Sequence, residues 1–198
     1  MKRFFKFGVL LAIMLVFGAS FAACTSQSST DSASGSASAE SSDGAESSES
    51  SATKISEFAG LDLNGNEVTE AVFAEADITM INYWGTYCPP CIAEMPELAK
   101  LEGEYGGRMQ LIGVPIDVDF SKPDSKEYKA ALEILESAGA KYKNVQPTGG
   151  LAEYTKYMQY VPTSIFVDAE GNIVGGPVVG GNFDEYRNTI EGYLAEHE

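Results

Sequence analysis

Histidine, cysteine and positive charge are all scarce in this sequence. Of 198 residues one is histidine, three are cysteine, and 13 are Lys or Arg against 29 Asp or Glu, giving a net charge of −16. So few basic residues make nucleic acid and anionic surfaces poor partners. The sole histidine, His197, stands one residue from the end, a place for an exposed side chain rather than a ligand. Cys88 and Cys91 have no second pair with which to build a tetrahedral zinc site. Covalent haem attachment needs histidine directly after the second cysteine, where Ile92 stands. A copper carrier would want a longer gap between the cysteines and a histidine partner. No metal is therefore expected, and no cofactor beyond the cysteine pair itself.

Long apolar runs are also missing, except near the start. Lys2, Arg3 and Lys6 precede an apolar stretch from Phe7 to Phe17, and small residues then lead to Ala22-Ala23-Cys24. This is the pattern of an export signal over residues 1–23. Its end at cysteine resembles the lipobox of bacterial lipoproteins, with Phe21 where leucine is usual. The resemblance implies that Cys24 is acylated and anchors the chain on the extracytoplasmic face of the cell membrane. An uncleaved membrane anchor and an ordinary cleaved signal are the alternatives. From Thr25 to about Thr53, as in SSTDSASGSASAESSDGAESSESS, no large apolar residue occurs. Such a segment buries too little to offset the entropy of ordering, so residues 24–54 read as a disordered tether.

The remainder, 55–198, reads as one α/β domain. Ile55–Leu63, the turn Asn64-Gly65-Asn66 and Glu67-Val68 suggest an N-terminal β-hairpin. Thr69 is placed to cap a short helix over Glu70–Ala74. Ile78–Tyr83 and Met109–Ile116 have the apolar content of buried strands. Ile92–Tyr105 has helical spacing with Pro96 inside it. Ser125–Ala138 reads as a helix with Ala130, Leu132, Ile134 and Leu135 as its apolar stripe and Gly139 as its stop. A short strand over Tyr142–Val145 and a helix around Leu151–Met158 follow. Ser164–Val167, the turn Asp168–Asn172 and Ile173–Val179 form a hairpin, and Phe183–Ala195 a final amphipathic helix. Strands alternating with helices, then a hairpin, imply a central mixed sheet flanked by helices.

The chemistry concentrates in WGTYCPPCIAEMP, Trp84–Pro96. A disulfide closing so short a loop removes little chain entropy, so a structural staple is a weak reading. Directly after a buried strand and at a helix start, Cys88 meets free backbone N–H groups and the positive end of the helix dipole, both favouring thiolate. Cys91, one turn further in, should be more buried. That asymmetry gives Cys88 as nucleophile and Cys91 as resolving thiol. Pro89 suits the first helical turn but removes an N–H that would otherwise stabilise the Cys88 thiolate.

A strand–CxxC–helix unit, Pro96 five residues after Cys91, and Val161-Pro162-Thr163 before the next strand resemble the thioredoxin fold. Asn82-Tyr83-Trp84-Gly85-Thr86, Glu94-Met95-Pro96, the helical insert between Asp117 and Tyr142, and Val167-Asp168-Ala169-Glu170-Gly171 resemble its membrane-tethered TlpA/ResA-like branch. Tyr87 stands where many relatives have tryptophan. The resemblance implies that Pro162 is cis and turns the Val161 backbone toward the cysteines, where it pairs with an extended substrate. It implies that Trp84 packs beside the site and shapes the partner surface, with core packing alone as the alternative; Pro89 and Pro90, which fill the gap between the cysteines and depart from the family's pattern, are placed on that surface too. It also implies that Glu94 transfers the proton of Cys91, since Asn82 occupies the strand position where cytoplasmic thioredoxins carry a buried aspartate.

The implied activity is a thiol–disulfide oxidoreductase, running as a reductase of exported protein disulfides. Its implied electron donor is an integral-membrane carrier of the CcdA type, and its clients are apocytochrome c or a methionine sulfoxide reductase. A disulfide-forming oxidase is the first alternative. A peroxiredoxin-like peroxidase would want Thr three residues before its cysteine, whereas Thr86 is two before Cys88. A non-catalytic binding lipoprotein would use the surface alone.

Overall fold

The computed structural model describes residues 53–198. The signal-like stretch, Cys24 and the tether up to residue 52 lie outside the described residues. The domain's contacts begin just ahead of Ile55, where Lys54 bridges to Asn172.

A small hairpin comes first, β1 (Ala59–Leu61) against β2 (Glu67–Thr69). Its turn is built by Asp62, whose Oδ1 accepts from the amides of Asn64 and Asn66 at 2.8 Å each. The strand expected from Ile55 starts only at Ala59. The segment before it lies on Gly149-Gly150 instead, where any Cβ would strike the backbone of residues 56–58, and Gly150 donates to the Glu57 carbonyl. Thr69 caps a 3-10 turn over Glu70–Glu75.

The main sheet has the order β5-β4-β3-β6-β7. Its strands are β3 (Ile78–Trp84), β4 (Met109–Pro115), β5 (Lys143–Asn144), β6 (Thr163–Asp168) and β7 (Ile173–Val179). β3, β4 and β5 are parallel, and β6 and β7 run antiparallel to their neighbours, so the sheet is mixed as expected. All seven residues of β3 are buried, as a central strand covered on both faces requires. Alternation then sorts its side chains. Ile78, Met80 and Trp84 pack with helices α1 (Pro89–Glu104), α2 (Lys126–Ala138) and α4 (Phe183–Glu196). Ile81 and Tyr83 pack with the N-terminal segment and α3 (Gly149–Tyr154).

α2 is the expected insert, capped by Ser125 Oγ on the Tyr128 amide and closed by Gly139 at φ 66°. Its stripe differs from expectation. Ala131 and Leu135 are buried with Tyr128 and Ala138 against them, while Leu132 is 41% exposed. Spacing of three and four residues from Tyr128 sets the inward face, and Leu132 falls off it despite being the larger apolar residue.

Candidate functional site: a dithiol at a helix N-terminus

β3 delivers the chain to the sulfur site at its C-terminal end. Beyond Trp84 the loop is held from the side by Asp117. Its carboxylate accepts from the Thr86 amide at 3.0 and 3.2 Å and from the Thr86 hydroxyl at 2.5 Å. Cys88 is the N-cap of α1, with Pro89 and Pro90 as the first helical residues. Neither proline has an N–H, so the Cys91 amide is the first donor of the helix, and it reaches Cys88 Sγ at 3.2 Å.

Cys88 and Cys91 are joined in a disulfide. Cys88 is 6% exposed and Cys91 fully buried, the asymmetry expected of a nucleophile and a resolver. Across from them the Val161–Pro162 bond is cis, and the Val161 carbonyl oxygen lies 3.5 Å from Cys88 Sγ. Pro89 and Pro90 are exposed beside the pair. Among the described residues no group of three or more His, Cys, Asp or Glu is arranged to hold a metal ion.

Trp84 corrects an expectation. It is fully buried, and its indole N–H donates to Asn144 Oδ1 at 2.9 Å. It braces the core behind the cysteines and offers nothing to a partner. The reason lies on the neighbouring strand: Gly113 has no side chain, and the indole and Asn144 meet in the space thus left.

Glu94 follows Cys91 by one turn on the same side of α1. It is 6% exposed, and burial pushes its carboxyl up to about 7 against the opposing effect of hydrogen bonds from Asn82 and Tyr186. Asn82 Nδ2 donates to Glu94 Oε1 at 2.9 Å and to Ser164 Oγ at 3.0 Å. Tyr186 Oη lies 3.5 Å from Glu94 Oε2 and donates to the Gly180 carbonyl at 2.7 Å. Since a phenol has one proton and the shorter bond uses it, the 3.5 Å contact to Glu94 is the weaker of the two. Gly181 closes over the carboxyl, for a Cβ there would stand 2.8 Å from Oε2.

Sequence reasoning placed Glu94 beside the cysteines but missed what holds it. By its position Asn82 marks a missing carboxylate; in the fold it is the group that binds one. Ser164 is its register partner on β6, so the pairing of two fully buried polar residues across the strands holds the carboxyl from below. Tyr186 arrives from α4, and no local pattern announces it.

Comparison with known proteins places this constellation. The model of the AhpC/TSA family matches residues 52–175. The chain belongs to the AhpC/TSA family. Within that family it is similar to thiol-disulfide oxidoreductase ResA of Halalkalibacterium halodurans, 31% identical over 113 residues, which cover 57% of this chain and 60% of the relative. ResA of Bacillus cereus is 27% identical over 141 residues, covering 69% of this chain and 72% of that protein. Among solved structures, a thiol:disulfide interchange protein of the thioredoxin family from Chlorobium tepidum matches with a TM-score of 0.59 at 21% identity. The match spans 72% of this chain and 96% of that one. This AhpC/TSA-family member thus has the thioredoxin-like fold, with the sulfur pair at the end of its central strand.

Proposed function

We propose that this protein is a thiol–disulfide oxidoreductase that works outside the cytoplasm as a reductase of exported protein disulfides. The observation that carries the reading is a disulfide whose outer sulfur is the N-cap of α1, with a buried, proton-holding carboxyl one turn behind the inner sulfur. In this reading Cys24 carries the lipid anchor and a membrane-embedded donor of the CcdA type reduces the pair. Apocytochrome c or a methionine sulfoxide reductase is the client. Among the described residues no helix is long and apolar enough to cross a membrane.

The reaction starts from the dithiol. Cys88 thiolate attacks one sulfur of the client disulfide, the client bond breaks, and its second sulfur leaves as a thiolate that takes up a proton. Cys91 gives its proton to the ionised form of Glu94, whose carboxyl titrates near neutrality, and then attacks Cys88 Sγ. The mixed disulfide breaks, the client sulfur leaves as a thiolate that takes up the proton held by Glu94, the client departs as a dithiol, and the Cys88–Cys91 bond forms. Two electrons have passed to the client, and the donor's dithiol restores them. Burial of Cys91 keeps it from competing for the client in the first step.

A peroxidase is disfavoured by Thr86, whose hydroxyl is committed to Asp117 and not to the sulfur. The test is to trap thiols in growing cells and to express a Cys91→Ser variant. A reductase has the pair mostly reduced, and the variant accumulates client mixed disulfides through Cys88. A mostly oxidised pair would assign the opposite direction, and a pair that exchanges with no thiol would end the reading.

A further inference from the structure

Two hollows of about 320 and 240 Å³ adjoin one another, the first of them walled by Tyr87, the residue before Cys88. The first is bounded by Tyr87, Met158, Tyr160 and Val161, the second by Tyr157, Pro177 and Val179, and the ridge Met158–Tyr160 divides them. Six large apolar side chains stand exposed among the described residues, and Tyr87, Tyr157, Tyr160 and Val179 are four of them. Gathering four of six at one spot marks a built surface, since singly scattered exposed apolar residues are the ordinary condition. None of the residues lining either hollow carries a charge, in a chain of net charge −16. A roomier hollow lies between α1 and α2, and neither Tyr87 nor Val161 lines it.

Two of the exposed rings are held by side-chain packing and the third by its backbone. Tyr87 folds back over Gly85, where a Cβ would come within 2.7 Å of the ring. Tyr157 leans on Tyr154, centroids 6.1 Å apart, and Tyr154 stacks on buried Tyr83 at 5.6 Å. The Tyr160 carbonyl accepts from the Thr163 hydroxyl at 2.8 Å. Rings packed before a partner arrives, as those of Tyr87 and Tyr157 are, lose little freedom on binding, and aromatic side chains in that state dominate interfaces.

We propose that this tyrosine-lined double hollow selects the client: an extended polypeptide with an aromatic or large aliphatic side chain one or two residues from the cysteine that Cys88 attacks. The proposal rests on the thiol–disulfide reading above. Val161 is what ties surface to chemistry, because it walls the first hollow while its carbonyl sits against Cys88 Sγ. A segment whose sulfur meets Cys88 therefore has its neighbouring side chain over Tyr87 and Tyr160. Successive side chains of an extended segment point to opposite faces, so residues one and two positions away reach different parts of the surface. The uncharged lining takes apolar anchors and disfavours charged ones, which would lose water without gaining a partner.

The experiment uses the reduced full-length protein and peptide dimers joined by one disulfide. One dimer has Phe two residues from each cysteine and the other has Ser there. The wild type is expected to reduce the Phe dimer about tenfold faster at low peptide concentration. Tyr87→Ala/Tyr160→Ala should bring that ratio below about threefold, while Tyr87→Phe/Tyr160→Phe and the distant control Leu132→Ala preserve it. A ratio near one in the wild type, or one that survives removal of both rings, overturns the surface and leaves the redox reading standing. A wild type that reduces neither dimer overturns that reading, and the surface with it.

Discussion

Replacing Glu94 with glutamine isolates the energetic cost of the buried carboxyl. Burial moves its titration from an ordinary 4.5 to about 7. Between those pH values the folded protein holds a proton that the unfolded chain has released. Stability is therefore fullest below about pH 4.5 and falls as pH rises through about 7, opposite in sign to a salt-bridged carboxylate. At about 1.4 kcal/mol per tenfold change in proton affinity, the loss comes to about 3 kcal/mol. Glutamine has nearly the same shape, still accepts from Asn82 Nδ2, and never ionises. Urea unfolding of the oxidised protein between about pH 4.5 and 8 should show the wild type losing about 3 kcal/mol relative to Glu94→Gln. Groups common to both proteins cancel in that difference. Asp119, held down at about 2 by hydrogen bonds from Lys122 and Ser121, titrates below the window in any event. Two curves parallel to within about 0.5 kcal/mol across that range would refute both the burial argument and the proton-holding role built on it.

Two further substitutions test the scaffold. Gly113→Ala drives a Cβ into Asn144 Oδ1 and against Trp84 Nε1, so it should cost about 2 kcal/mol and lower Tm by about 4–8 °C; a Tm within about 1 °C of wild type would deny the Trp84–Asn144 brace its importance. Pro90→Ala adds an N–H at the second helical position, next to the one amide that now reaches Cys88 Sγ. The Cys88 thiolate fraction at neutral pH should rise severalfold, read as faster alkylation by iodoacetamide. An unchanged pH profile of alkylation would show that the dipeptide Pro89-Pro90 does not tune the nucleophile.

Where periodicity and turn chemistry decide structure, the fold was legible from the residues. β3, β4, the hairpin through Asp168–Asn172, the cap Thr69 and the stop Gly139 stand where local pattern put them. Leu132 and the segment Ile55–Phe58 went astray because tertiary packing overrode apolar identity: one is off the helix face that meets α1, and the other is claimed by two glycines from across the domain. The sulfur pair and Glu94 could be found because their spacing along α1 is local. Tyr186, Asp117 and the ring cluster around Tyr160 come from elements far apart in sequence, and only the sheet's strand order brings them to one end.

The antiparallel register of β6 on β3 has a mechanical corollary. Trp84, leading into the cysteines, and Ile78, opposite Asp168, are the two ends of one strand, roughly 20 Å apart at about 3.3 Å per residue. The chain enters at the Ile78 end, where Ile55 donates to Gly171 and Ile173 donates to Thr53. A pull applied at Thr53 is thus borne by the end of the sheet opposite the cysteines.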